Sequence, residues 1–171
     1  MGGLGVRFMI EGDQSAGNFA LVEHPIGPRV LVAPLRTHER EDEYTYVLAG
    51  EVGVQVGDEV RVARPGDLIF KPRGVPHALW NACDEPAWAL EVVSPAGFER
   101  YFAEVASVLP PNHPGPPDEE AVGAVQAKYG LEIDMSPLPG LVERHGLATG
   151  EPTDRQGRRP ARRRPACRGR W

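Results

Sequence analysis

The sequence predicts an all-β domain, a sandwich or barrel, followed by helices and a disordered tail. Short β-type runs recur between residues 6 and 95, and Gly or Pro interrupts them at close intervals. After residue 95 the apolar spacing changes from every second residue to steps of three and four. We therefore predict a β domain at 6–95, a helical C-terminal extension at 96–150 and a disordered tail at 151–171.

Alternation along the strand-like runs assigns their faces. In the run 51–56, Val52, Val54 and Val56 share one side, which we expect to face inward. The predicted strands, numerous enough for a sandwich or barrel, are 19–24, 29–36, 43–49, 51–56, 59–63, 67–71, 77–83 and 88–94. Four large apolar side chains are expected to fill the interior: Phe70, Trp80, Trp88 and Leu90.

The C-terminal extension shows helical spacing. Apolar residues recur at three- and four-residue steps over 98–109, which is typical of an amphipathic helix. The proline-rich stretch 110–117 must end that helix. A second helix is predicted over 118–129 and a short third one over 141–145. From residue 151 onward Arg, Pro and Gly dominate without periodicity, which predicts disorder.

Charge is distributed unevenly along the chain. Residues 1–150 carry 11 basic and 22 acidic side chains, a net charge of -11, whereas residues 151–171 carry 8 basic and 2 acidic ones, a net charge of +6. An acidic body argues against nucleic acid as a main partner, because phosphate binding needs a cationic face. No apolar run approaches the length that crosses a bilayer. We therefore expect a soluble cytoplasmic protein with no membrane partner.

Two passages of the β domain carry motifs. The second passage fits the pattern G-x5-P-x-G-x2-H-x3-N at every defining position: Gly66, Pro72, Gly74, His77 and Asn81. The first passage fits H-x-H-x4-E-x6-G at all positions but the first: His38, Glu43 and Gly50 match, and Arg36 stands at the first histidine position. Together the two passages resemble the motifs of the cupin superfamily, and the wider text resembles small bacterial single-domain cupins.

The resemblance implies a fold and an arrangement of subunits. It implies a double-stranded β-helix, the jelly-roll barrel of cupins, with any functional site inside the barrel mouth. It also implies that the protein is a homodimer. The resemblance covers residues 20–95 well and the helical segment more weakly.

The residues themselves point to a metal site. Residues i and i+2 on a strand share a face, so Arg36 and His38 point the same way, and so do His77 and Asn81. If that face is the barrel interior, two imidazoles and the Glu43 carboxylate converge. Such a set suits Fe²⁺, Mn²⁺, Ni²⁺ or Zn²⁺ and leaves coordination positions open for a substrate or dioxygen. Asn81 is interpreted as structural, because asparagine more often satisfies a turn.

Arg36 leaves two interpretations open. A guanidinium has no lone pair to offer a metal, and its charge opposes a cation nearby. In the first interpretation His38, Glu43 and His77 hold a divalent metal ion and Arg36 grips the anionic group of a small substrate, giving an oxygenase-like or isomerase-like enzyme. In the second, Arg36 pairs with Glu43 and the barrel is a metal-free small-ligand binding, sensor or accessory protein. A barrel that merely dimerises is what remains if there is no pocket.

Overall fold

The computed structural model describes residues 4–109 and 118–147, so the predicted tail lies outside the described residues. Within this part of the chain, strands and helices occur in the order β1 (Arg7–Ile10), β2 (Ala20–Ile26), β3 (Val30–His38), β4 (Asp42–Ala49), β5 (Val52–Val56), β6 (Glu59–Ala63), β7 (Leu68–Lys71), β8 (His77–Asn81), β9 (Ala87–Ser94), α1 (Glu99–Val108), α2 (Glu119–Lys128), β10 (Leu131–Asp134) and α3 (Leu138–His145). All eight predicted strands are present, with ends that differ by at most two residues.

The strands form two five-stranded antiparallel sheets that face each other. The first has the order β1-β2-β9-β4-β7 and the second has the order β10-β3-β8-β5-β6. This is the predicted double-stranded β-helix, and the predicted C-terminal helices follow it. None of the helices in the described ranges is both long and apolar enough to cross a lipid bilayer.

The space between the sheets is apolar at one end. Val52 and Val54 are fully buried there, as their alternation predicts, and they pack with Ile26, Ile69 and Leu79. Burying such aliphatic side chains contributes about 1.5–3 kcal/mol each to folding. This end of the barrel is therefore a packed core that holds the strands of the other end in register.

None of the four large apolar side chains expected in the interior fills the barrel, so that prediction was wrong. Trp88 and Leu90 alternate on β9 with the inward-facing Ala87 and Ala89, and therefore lie on the outer face of the first sheet. Phe70 is 47% exposed on the outer face of the first sheet. Trp80 is buried, but it packs outside the barrel against Leu141 and Leu147, beneath α3. Both residues alternate with inward-facing neighbours, so their side chains must point outward. Gly53 lies opposite Trp80, and a Cβ there would come within 2.1 Å of the indole Nε1.

The C-terminal extension closes the other end of the barrel. β10 pairs with β3, so that Leu131 lies opposite His38 and Ile133 lies opposite Arg36. Phe98 and Tyr101, at the start of α1, pack with Leu131. The sequence analysis predicted the helices but not β10, whose four residues are too short to show a clear alternation. The extension thus supplies the strand β10 and a cover over this end of the barrel, formed by Phe98, Tyr101 and Leu131 and called the roof below.

Candidate functional site

Charged and polar side chains occupy the closed end of the barrel, between the two sheets. Strand register brings them together: Glu43 on β4 lies opposite Lys71 on β7, and Arg36 on β3 lies opposite His77 on β8. Glu91 on β9 lies one pair further along, opposite Thr45. All of these side chains alternate with outward-facing neighbours and therefore share the interior.

His38, Glu43 and His77 converge as the sequence predicts. The three side chains are buried, and each offers a ligand atom that lies within 4.8 Å of the other two. His77 Nε2 lies 3.0 Å from Glu43 Oε2, and His38 Nε2 lies 3.5 Å from Glu43 Oε1. The imidazoles are stacked, with centroids 5.4 Å apart. These spacings are those of donors that share one ion.

The backbone fixes the orientation of the His77 ring. His77 Nδ1 lies 3.1 Å from the carbonyl oxygen of Val75, and a carbonyl only accepts, so Nδ1 carries the proton. Burial, with help from Arg36 and Lys71, lowers the pKa of His77 to about 4 even though Glu43 favours the charged form. The ring is therefore neutral at pH 7, and its Nε2 lone pair faces the Glu43 carboxylate.

Lys71 is the functional residue that the sequence analysis missed. Its side chain is fully buried, and its Nζ lies 2.8 Å from Glu43 Oε2 and 2.8 Å from Glu91 Oε1. Thr45 Oγ1 donates a hydrogen bond of 2.8 Å to the other oxygen of Glu91. An ammonium held between two carboxylates satisfies the usual condition for burying a charge.

Arg36 reaches the same cluster from the second sheet. Its Nη2 lies 3.5 Å from Glu43 Oε2, and its Nε donates a 3.3 Å hydrogen bond to His38 Nε2. Its Nη1 is buried and has no hydrogen-bond partner among the residues that the structure describes. Of the roles predicted for Arg36, a pairing with Glu43 is therefore present in the geometry, and one donor is left over.

The surrounding cations decide the charge of Glu43. Burial on its own raises the pKa of a carboxyl group, but Lys71 and Arg36 outweigh burial and hold the pKa of Glu43 well below its usual range. Glu43 is thus a carboxylate at neutral pH. Two of the groups that stabilise its charge are cations in contact with it.

A small cavity lies beside this cluster. Its volume is about 50 Å³. Arg36, Glu43 and Glu91 form its polar side, whereas Phe98, Tyr101 and Leu131 belong to its apolar wall. His24, interpreted from the sequence as packed or solvated, also lines the cavity and is packed there.

The donor set suggests a divalent metal ion, and the cluster meets only part of what such an ion requires. The donors fit in kind and spacing, because two histidines and a carboxylate face one another. The charges do not fit: Arg36 occupies the lone pair of His38 Nε2, and Lys71 holds Glu43 Oε2. If a divalent ion lay about 6 Å from one of these cations, the repulsion between the two charges would weaken its binding by roughly 5 kcal/mol at an effective dielectric constant of about 20. With these contacts in place, the site does not fit a divalent metal ion.

The residues around the cluster include one that the sequence analysis interpreted and two that it did not. Asn81 is structural, as interpreted from the sequence: its Nδ2 donates to the carbonyl oxygens of Gly27 and Glu85, and its Oδ1 accepts from the amide of Cys83. Glu91, which the motifs do not include, shares the inner face of β9 with Val93 and Ala89. The signal that could have found Lys71 is its i+2 spacing from Ile69, which is buried in the core.

Comparison with known proteins gives a family model and several solved structures. The family model described as a cupin domain matches residues 26–93. No curated protein is significantly similar to the chain. The protein TT1209 from Thermus thermophilus is 28% identical, with a TM-score of 0.49, and the match covers 54% of this chain and 84% of that one.

Two further solved structures are similar to the chain at lower identity. One, from Silicibacter pomeroyi, is described as a sugar phosphate isomerase from a cupin superfamily; it is 23% identical with a TM-score of 0.48, and the match covers 54% of this chain and 59% of that one. The other, from Thermotoga maritima, is described as a predicted oxalate decarboxylase; it is 21% identical with a TM-score of 0.51, covering 53% and 79%. The second similarity supports the fold alone.

Proposed function

Since the chain belongs to the cupin superfamily, we propose that its barrel binds a small organic anion in the cavity beside Arg36. The protein then acts as a small-ligand binding protein, of the sensor, carrier or accessory kind. This is a function of the site and not of the fold, which hosts many chemistries.

The observation that carries the proposal is the unpartnered donor of Arg36. Nη1 is buried without a hydrogen bond in the described part of the chain, and Arg36 lines the cavity. A buried donor without a partner costs about 1–3 kcal/mol, and more when it is charged. An acceptor on a ligand would remove that cost, and a carboxylate matches the planar guanidinium best.

The cavity limits the size and polarity of the anion. A cavity of about 50 Å³ favours a short carboxylic acid over a sugar phosphate or a nucleotide. The wall formed by Phe98, Tyr101 and Leu131 favours a short apolar substituent on the acid. We therefore expect aliphatic acids of two to four carbons to bind better than inorganic phosphate.

A ligand screen tests this function. Thermal unfolding is followed with acetate, propionate, butyrate, pyruvate and inorganic phosphate, because a ligand of the folded state raises the melting temperature. Arg36→Met should abolish the shift, and Arg36→Lys, which keeps the charge and loses the planar fork, should weaken it. Arg64→Met is the matched control, since Arg64 pairs with Glu51 and its side chain is 60% exposed. No shift with any acid, or the same shift in Arg36→Met, would refute the proposal.

A divalent-metal-dependent enzyme, an oxygenase or an isomerase, is the second candidate. One observation favours it: His77 Nε2 lies 3.0 Å from Glu43 Oε2, and two acceptors this close need either a proton or a metal cation between them. Elemental analysis for iron, manganese, nickel and zinc would test it, with loss of bound metal in His77→Ala. Arg36→His distinguishes the two candidates, because it should raise metal affinity and abolish anion binding.

We also propose that the protein is a homodimer that uses the outer face of the first sheet. Tyr46, Leu68 and Phe70 are 41%, 58% and 47% exposed on this face. Tyr46 lies opposite Leu68, and the Tyr44 ring is stacked on Phe70 with centroids 4.9 Å apart. Exposed apolar side chains that adjoin one another on two paired strands favour contact with another protein surface.

A further inference from the structure

Lys71 occupies a position where a lysine is costly. It is 0% exposed, on the inner face of β7, and lysine is almost never fully buried unless it is paired. Both of its 2.8 Å contacts are to carboxylates, Glu43 and Glu91, from two different strands. The ammonium therefore acts as a fixed internal cation that joins β4, β7 and β9.

Lys71 contacts the carboxylate that a metal ion would need. Glu43 Oε2 lies 2.8 Å from Lys71 Nζ, 3.5 Å from Arg36 Nη2 and 3.0 Å from His77 Nε2. An ion placed between His77 and Glu43 would compete with both cations for this one oxygen. Arg36 Nε also donates to His38 Nε2, so a second donor is occupied as well.

Cations already surround the carboxylate of Glu43. Glu43 and Glu91 each contact the ammonium of Lys71, and Glu43 also contacts the guanidinium of Arg36. Glu41 faces His38 Nδ1 at 3.6 Å, on the side of the ring away from Glu43. A divalent ion on the donor side would add two positive charges next to Lys71 and Arg36, which already contact Glu43 in a buried site.

We propose that the Lys71 ammonium is the resident cation of the centre and that Lys71 and Arg36 together hold the affinity of His38, Glu43 and His77 for divalent metal ions low. This inference goes beyond the proposed function, because it concerns the cation at the centre and needs no ligand in the cavity. Its corollary is that removing the internal cation without adding a ligand creates a metal site.

The test replaces Lys71 together with one of its carboxylates. Lys71→Met/Glu91→Gln removes one charge of each sign, keeps an acceptor for Thr45 and leaves His38, Glu43 and His77 intact. Binding of Co²⁺ and Zn²⁺ to purified full-length protein is measured by calorimetry, and the Co²⁺ absorption spectrum reports ligation. The double variant should bind both ions at least about a hundredfold more tightly than the wild type. Glu91→Gln alone is the matched control and should gain nothing, since Lys71 stays on Glu43.

A second variant keeps the proposal falsifiable if the double variant does not fold. Arg36→Met removes the other cation and frees His38 Nε2, so metal affinity should rise at least about tenfold. Circular dichroism and thermal unfolding establish which variants are folded. Wild-type protein that binds metal as tightly as the folded variants, or folded variants with unchanged affinity, would overturn the proposal. Neither result bears on anion binding, which the ligand screen measures separately.

Discussion

The low pKa of His77 predicts a specific loss of stability in acid. In the folded protein this pKa is about 4, because the ring is buried, whereas the unfolded chain has the ordinary value of about 6.5. Below pH 6.5 the unfolded state binds a proton that the folded state excludes. The stability that His77 contributes is therefore complete above pH 6.5 and is lost as the pH falls towards 4.

The size of the effect follows from the two pKa values. Each pH unit between them costs about 1.36 kcal/mol, so about 2 kcal/mol of the free energy of unfolding is lost between pH 7.5 and pH 5 through His77 alone. Urea unfolding of protein kept in chelator, at pH 7.5, 6.5, 5.5 and 5.0, measures the loss. His77→Gln should remove this part of the pH dependence. Parallel curves for the wild type and His77→Gln would refute the reasoning.

Three further changes have expected outcomes. Gly53→Ala should lower the free energy of unfolding by about 1–3 kcal/mol in calorimetry, because its Cβ would collide with the indole of Trp80. Phe98→Ala should lower the free energy of unfolding, measured in urea, by about 3–5 kcal/mol. Phe98 is 2% exposed, and the centroid of its ring lies 4.2 Å from that of the His38 ring. Phe70→Glu should convert a dimer to a monomer in sedimentation experiments and leave the melting temperature of the barrel almost unchanged, because Phe70 is already half exposed.

Each of these predictions has a matched control. Gly123→Ala lies in α2, where nothing is within 4 Å of an added Cβ, and should stabilise the protein by about 0.5–1 kcal/mol. Phe98→Leu should cost less than Phe98→Ala, since it keeps most of the buried volume. Val60→Glu, on an exposed part of β6, should leave the association state unchanged. A destabilising Gly123→Ala, or dissociation by Val60→Glu, would contradict the assignments.

Much of the fold could be predicted from the sequence because local signals and tertiary structure agree. The alternation of Val52 and Val54, interrupted by turns, is a property of consecutive residues and needs no knowledge of partners. The site residues His38, Glu43 and His77 could be predicted for the same reason, since their motifs fix which side of each strand they occupy. Of the two elements in the roof, only α1 could be predicted, because apolar residues recur along one side of it at helical spacing. β10 is defined by its pairing with β3, which the sequence does not show.

The cations of the site could be predicted only in part. Arg36 is conspicuous because it replaces a motif histidine, whereas Lys71 stands beside a motif proline at the end of a short strand, where a lysine usually faces solvent. Its position depends on the register of β7 against β4, which a single sequence does not supply. The errors for the large apolar side chains have a similar origin, because a shift of one residue exchanges the two faces of a strand. They concern Phe70, Trp80, Trp88 and Leu90.

The pairing of β10 with β3 has a consequence for the order of synthesis. His38 and Leu131 are direct partners, although 93 positions separate them along the chain. The ribosome therefore makes the other four strands of the second sheet, β3, β5, β6 and β8, before it makes β10. The whole charged cluster is also made before the residues that cover it. Until those residues are made, the charged cluster lacks the cover that β10 and α1 supply in the complete protein.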